Sequence, residues 1–292
     1  MNVHLTKRGA VCDTMNHKPR RFWLVRKEEK DMVIDVHAHI FPDAIAQKAS
    51  VSIAKFYDIP VEQGGSVDTL LRLGDEAGID KFVVHSVATT PAHVQSVLKF
   101  ITASVKAHPD RFIGFGSLHP DMENAAEAVK QMMDAGLKGV KLHPDMQLFA
   151  LDEDRAYKMF ESFAGQLPLL VHAGDRRYQF SNPHRIARMM DKFPEMKVIA
   201  AHMGGYSEWK EARELLAGRK NIYVDTSSTM FELDDEQMME SIRAFGVEHV
   251  MFASDYPMWN PKKELEHVRR LGLAEEELKR IEWGTAAELF GL

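Results

Sequence analysis

A closed (β/α)8 barrel of the TIM type is the fold this sequence predicts, on three observations. Eight short apolar, β-branched runs alternate with amphipathic stretches. Most runs begin about 25 to 30 residues after the previous one, the length of a strand, a helix and two loops. Several runs, such as PLLV and VMFA, are apolar throughout, as expected of a parallel sheet covered on both faces. The 292 residues also suit one barrel, which commonly takes about 250. A doubly wound open sheet is the competing architecture, but it would carry a glycine-rich phosphate turn after an early strand, and this chain ends its first run in histidines instead.

The runs fall at residues 32–39, 81–88, 111–119, 139–143, 168–173, 197–202, 221–227 and 249–255. Only the first interval is longer, about fifty residues, which leaves room for an extra loop or helix after the first strand. Helices are expected between runs where apolar residues recur at three and four. Asp152 is placed to cap one that presents Ala156, Met159, Phe160 and Phe163 on one face. Asp121 or Asn124 precedes Ala125, Ala128, Val129 and Met132, with Gly136 as the stop signal.

Composition narrows the function. Hydrophobic residues make up 45% and charged residues 27%, values of a folded globular chain with ample core material. The net charge of -6 lacks the basic footprint of a nucleic-acid binder. Residues 1–31 carry eight basic side chains against four acidic ones and no apolar run long enough for a signal peptide or membrane span. They are expected to form a poorly ordered basic leader ahead of a catalytic barrel at 32–292. A lone cysteine, Cys12, forms neither an internal disulfide nor a thiolate cage, so a reducing, cytoplasmic setting and nitrogen and oxygen metal ligands are expected.

In a barrel enzyme the chemistry sits where the strands end. His37 and His39 close the first run, His143 the fourth, His172 the fifth, His202 the sixth and Asp255 the eighth. Side chains two apart on a strand share a face, so His37 and His39 can converge on one ion. Imidazoles and a carboxylate without thiolate suit zinc first, and also manganese, iron or cobalt. His85, mid-run, and His119, in a Leu-His-Pro turn, are weaker candidates. Arg176 and Arg177 follow the fifth run and suit an anionic substrate, unless they pair with Asp175. Tyr206, Trp209, Met258 and Trp259 either wall a pocket or pack beneath the loops.

The motifs Asp35-Val36-His37-Ala38-His39, Val171-His172-Ala173-Gly174, Ala201-His202-Met203-Gly204-Gly205 and Ser254-Asp255-Tyr256-Pro257, in this order, resemble the amidohydrolase superfamily. The most similar branch is the amidohydrolase-related group of hydrolases and nonoxidative decarboxylases. The resemblance implies that His37, His39, His172 and Asp255 hold a divalent metal, and that His202 bonds the substrate or metal-bound water. It places Lys141 where some members carry a carboxylated lysine bridging two ions; the alternative is an ordinary ammonium that binds a substrate carboxylate. One or two ions therefore remain open. Asp255 and His202 are the expected catalytic pair, with His143, Arg176 and Arg177 as expected substrate contacts.

The expected activity is hydrolysis of an amide, ester or lactone of a small anionic substrate by metal-activated water. The alternatives are nonoxidative decarboxylation of a carboxylated muconate or aromatic acid, and noncatalytic metal or ligand binding. A homodimer is the expected assembly, with neither nucleic acid nor membrane as partner.

Overall fold

A computed structural model of the chain describes residues 32–61 and 63–292; the basic leader expected at 1–31 lies outside the described residues. Eight strands follow the predicted order: β1 (Ile34–His39), β2 (Lys81–His85), β3 (Phe112–Ser117), β4 (Gly139–Leu142), β5 (Leu169–Val171), β6 (Val198–Ala200), β7 (Ile222–Asp225) and β8 (Val250–Met251). Each pairs in parallel with the next. The circle closes where Val36 N–H donates to Phe252 O at 3.0 Å and His39 N–H donates to Tyr256 O at 2.7 Å. The predicted barrel is therefore present.

Around it lie α1 (Asp43–Tyr57), α2 (Val67–Ala77), α3 (Val94–Ala107), α4 (Ala125–Asp134), α5 (Pro144–Gln147), α6 (Asp154–Phe160), α7 (Pro183–Lys192), α8 (Trp209–Leu215), α9 (Asp235–Phe245), α10 (Pro261–Arg269), α11 (Glu275–Lys279) and α12 (Thr285–Phe290). The long first interval holds two helices, α1 and α2. On α4 the predicted face of Ala128, Val129 and Met132 is buried, and Gly136 follows at φ 78°. One detail differs: Asp152 does not cap α6, because its carboxylate accepts from Arg185 and Arg188 of α7. Two charged donors on a neighbouring helix outcompete a local backbone N–H. Among the described residues no helix is long and apolar enough to cross a membrane.

Alternation along the strands sorts the core into two layers. Val140, Leu142, Leu169 and Val171 face the helices, while Val83, Ile113, Phe115, Leu170, Ile199 and Met251 fill the barrel. Phe290 of α12 plugs one end of that inner core, edge-on to Phe115 at 5.7 Å. Inward parity then carries on past the apolar layer to Lys141 on β4 and Asp225 on β7.

On β1 the pairing with β2 shifts between Asp35 and Ala38, which face Phe82 and Val84. One extra residue on β1 is a bulge. It allows Val36 to enter the inner core and His37, the next residue, to turn inward as well. Asp35 is left to clamp the segment that follows β8: its carboxylate accepts from Ser254 N–H at 3.0 Å and from Ser254 Oγ at 2.5 Å.

Two outcomes follow from this packing. A Cβ at Gly139 would stand 2.3 Å from the Phe115 ring, so Gly139→Ala should destabilise the barrel by about 1–3 kcal/mol in urea unfolding. Burial pushes the Glu264 carboxyl up from 4.5 to about 8, helped by the nearby Asp255 and Asp35. The folded chain then holds a proton there that the unfolded chain has lost, so stability falls as pH rises from 4.5 to about 8. Denaturation at several pH values should show that Glu264→Gln flattens this decline.

Candidate metal centre

The inner parity and the loops that follow the strands bring the polar residues to one barrel mouth. His37 Nε2 lies 3.3 Å from His39 Nε2 and 3.3 Å from Asp255 Oδ1, and His39 Nε2 lies 3.5 Å from the same oxygen. A tetrahedral ion with bonds of about 2.0–2.1 Å has ligand edges of about 3.3–3.4 Å, so these three donors fit a divalent cation. His202 also falls within 4.8 Å of His37 and Asp255, counting potential ligand atoms.

Beneath the donors sits a carboxylate that sequence reasoning missed. Asp225, fully buried at the end of β7, accepts from His37 Nδ1–H at 3.0 Å. This bond fixes the tautomer and leaves the Nε2 lone pair facing the other donors. Asp225 also accepts from His202 N–H at 3.0 Å, Ser227 N–H at 3.1 Å and Ser227 Oγ at 2.6 Å. Its only signal in the sequence was an acid at the end of an apolar run, and many strands end that way.

His202 and Asp255 lie beyond their strands in left-handed backbone, at φ 60° and 59°. Such conformations are uncommon for residues with a side chain and mark positions held by their surroundings. At His202 the hold comes from Asp225 on its N–H and from Trp209 Nε1, which donates to its carbonyl at 2.9 Å. At Asp255, Ser228 Oγ donates to Oδ2 at 2.6 Å, and Trp259 Nε1 donates to Ser228 Oγ at 2.7 Å. Trp209 and Trp259 thus brace the site from outside, whereas Met258 lines the cavity.

His172 stands one step away. Its Nδ1 is 3.0 Å from His202 Nε2, its ring stacks on His143 at 4.1 Å, and its Nε2 has no hydrogen-bond partner. His143 Nε2 in turn meets Tyr57 Oη at 2.6 Å. Tyr57 comes from α1, the insertion whose side-chain placement no strand pattern could give. His143, Asp145 and His172 form a separate group of potential donors.

Lys141 is fully buried, with Nζ 2.9 Å from His37 Nε2. His85 ends β2 rather than sitting mid-strand. Its ring packs edge-on to His39 at 4.4 Å, and neither of its nitrogens has a partner. His119 lies apart, with Nδ1 accepting from Asp121 N–H at 3.2 Å.

Arg176 and Arg177 do not line the cavity. Arg176 pairs with Glu232 at 2.6 Å at the surface. Arg177 forks onto Asp175 and donates to the Phe56 carbonyl at 2.9 Å, with its guanidinium 5.5 Å from the ring centres of Phe56 and Tyr57. A carboxylate two residues away and a helix C-terminus satisfy this fork, which holds α1 in place.

Burial sets the charge states. It pulls His37, His39, His85, His143 and His172 well below the usual histidine range, with neighbouring cationic groups acting in the same direction. His202 is pulled down to about 4, again by burial, although Asp225 opposes. Burial also brings Lys141 down to about 8 against the pull of Asp255 and Asp225, and raises Asp255 to about 7 against the Ser228 bond. Neutral imidazoles are the form that binds metal.

The amidohydrolase family model (Amidohydro_2) matches residues 34–292. Among characterised proteins, gamma-resorcylate decarboxylase of Polaromonas sp. strain JS666 is 23% identical over 291 residues, spanning 77% of this chain and 87% of that one. The solved 5-carboxyvanillate decarboxylase of Sphingomonas paucimobilis superposes with a TM-score of 0.69 at 18% identity, over 89% of this chain and 99% of that one. The dihydroxybenzoic acid decarboxylase of Polaromonas sp. JS666, solved with manganese and 2-nitroresorcinol, gives 0.67 at 19% identity, over 89% and 97%. These relatives overturn the expected hydrolysis of an amide, ester or lactone, because their named activities are decarboxylations. Ligands common to both chemistries had left that choice open.

Removing the second carboxylate tests the centre directly. Asp225→Ala should weaken divalent-metal affinity about 10- to 100-fold in chelator competition, with the fold retained by circular dichroism.

Proposed function

We propose that this chain, which belongs to the amidohydrolase family and is a divalent-metal-dependent enzyme acting on a small molecule, catalyses nonoxidative decarboxylation of a hydroxylated aromatic carboxylate. The observation that carries the reading is the similarity to gamma-resorcylate decarboxylase over 77% of this chain and 87% of that protein. A cavity of about 520 Å³, walled largely by apolar side chains above the donors, supports it.

In this reading His37, His39 and Asp255 would hold the ion, with His172, the fourth expected ligand, standing beyond His202. When bound, the ion supplies positive charge for the substrate's carboxylate and hydroxyl oxygens. Zinc suits the donor set, and manganese, present in a solved relative, is the first ion to compare with it. One ion is the simpler reading, in which Lys141, with Nζ 2.9 Å from His37 Nε2, acts as an ordinary ammonium toward the substrate carboxylate.

Asp255 delivers a proton to the ring carbon that bears the carboxylate, with the electron pair for the new C–H bond drawn from the hydroxyl-substituted ring. The carbon–carboxylate bond then breaks, its electron pair restores the aromatic ring and carbon dioxide leaves, while His202 bonds a substrate oxygen. His143, held by Tyr57, borders the same cavity as a substrate contact. The apolar walls exclude water from this exchange. A cytoplasmic location and a homodimer belong to the same proposal, the first resting on the lone cysteine and the second on the frequency of paired assemblies.

Carbon dioxide release from 2,6-dihydroxybenzoate, lost on chelation and restored by manganese or zinc, is the expected result. Asp255→Asn should lower kcat by about 10²- to 10⁴-fold while the protein stays folded. A chelated enzyme with undiminished turnover would refute the reading.

A further inference from the structure

The polar floor and the apolar wall of the cavity come from different layers of the fold. His37, His39, Lys141 and Asp255 belong to the barrel mouth. Most of the wall comes from α1 and α3, two helices of the outer layer, with Phe41, Met146 and Met258 among the other apolar contributors. On α1, Ile45, Ala49, Ile53 and Phe56 recur at four, four and three, which places them on one stripe of the helix. All four line the cavity, whereas the buried residues of α1 are the small Ala46 and Ser50. The helix therefore keeps small residues against the protein and turns its large apolar residues toward open space.

α3 adds a second stripe. Val94, Leu98 and Ile101 enter the core, while Val97 and Phe100, three apart, line the cavity. Ser52 and Tyr57 of α1, Ser96 of α3 and His93 just before α3 are the polar side chains this wall adds to the lining, and none is an acid, lysine or arginine. Apolar side chains facing open space lose the gain that burial would bring, and a ligand that covers them recovers it.

The wall is fixed rather than loose. Tyr57 joins the last turn of α1 to His143, and Arg177 holds the Phe56 carbonyl. Its distance from the donors is thereby set. The volume of about 520 Å³ lies within the range of roughly 300–1,000 Å³ that takes a drug-sized ligand, more than a bare dihydroxybenzoate fills.

Resting on the decarboxylase reading, we infer that the substrate carries an apolar substituent, an alkyl chain or a second aryl ring, on the side of its ring away from the carboxylate, and that α1 and α3 form the subsite for it. Specificity then comes from the α1 and α3 stripes, and the floor supplies the chemistry. Each methylene transferred from water to such a wall multiplies affinity about fourfold.

The test compares 2,6-dihydroxybenzoate with 2,6-dihydroxy-4-pentylbenzoate on the manganese-loaded full chain. The pentyl acid should show kcat/KM at least about tenfold higher, the gain lying in KM. Ile45→Asp and Val97→Asp, changes at partly exposed positions, should bring the ratio between the two acids toward one. Equal kcat/KM for both acids in the unsubstituted enzyme overturns the inference and leaves the decarboxylase reading standing. If neither acid releases carbon dioxide, that reading fails, and calorimetry with resorcinol and 5-pentylresorcinol decides the subsite alone. Tighter binding of the pentyl compound, by about tenfold, supports it; equal affinities overturn it.

Discussion

Everything at this barrel mouth depends on keeping several imidazoles neutral while packing them against one another. A charged imidazole in this position would face Lys141 and further histidines without water to screen them. Burial prevents that, and the lone pairs that result are what a cation needs. The fold secures this arrangement through the inner face of the strands. Apolar residues fill the lower layers, the same parity places Lys141 and Asp225 above them, and the bulge on β1 brings His37 to the same level. The hydrophobic core and the candidate site are consecutive layers of one stack.

A second carboxylate turns proximity into orientation. Asp225 accepts from His37, from the backbone of His202 and from Ser227, so one buried group ties β7 to β1 and to the loop after β6. Asp35 does comparable work between β1 and the segment that follows β8. Both acids act through other residues rather than by facing the cavity. The left-handed backbone at His202 and Asp255 persists because these bonds hold it.

Strand order, the inserted helix after β1 and the gathering of His37, His39, His202 and Asp255 at one rim were legible, because apolar periodicity and strand-end position are local features of a sequence. The bulge on β1 was not, since Val36 and His37 read as opposite faces until the register with β2 is known. Asp225 and Tyr57 were missed for a related reason: an acid after an apolar run and a tyrosine at a helix end acquire meaning only from partners far along the chain. Arg177 read from its position after β5 either as an anion binder or as a partner of Asp175, and the structure has its donors taken by Asp175 and the end of α1. Local sequence shows what a side chain offers; whether the offer is already taken depends on the tertiary structure.

The same limit explains why the candidate metal ligands pointed to a hydrolase. Imidazoles and a carboxylate at the strand ends serve water activation and carboxylate binding equally well, so they carry no information on which bond breaks. The proposed decarboxylation draws support instead from the surrounding medium. A carboxylate drawn from water into an apolar cavity loses hydration that neutral carbon dioxide never needed, which favours its departure. Hydrolysis instead requires a supplied water and donors aimed at a developing oxyanion. Here the helices over the donors offer mainly aliphatic and aromatic side chains, and the nearby arginines are tied down outside. In the proposed decarboxylation the histidine-lined floor supplies the chemistry, and α1 and α3 supply the apolar surroundings, in segments that strand-end motifs do not reach.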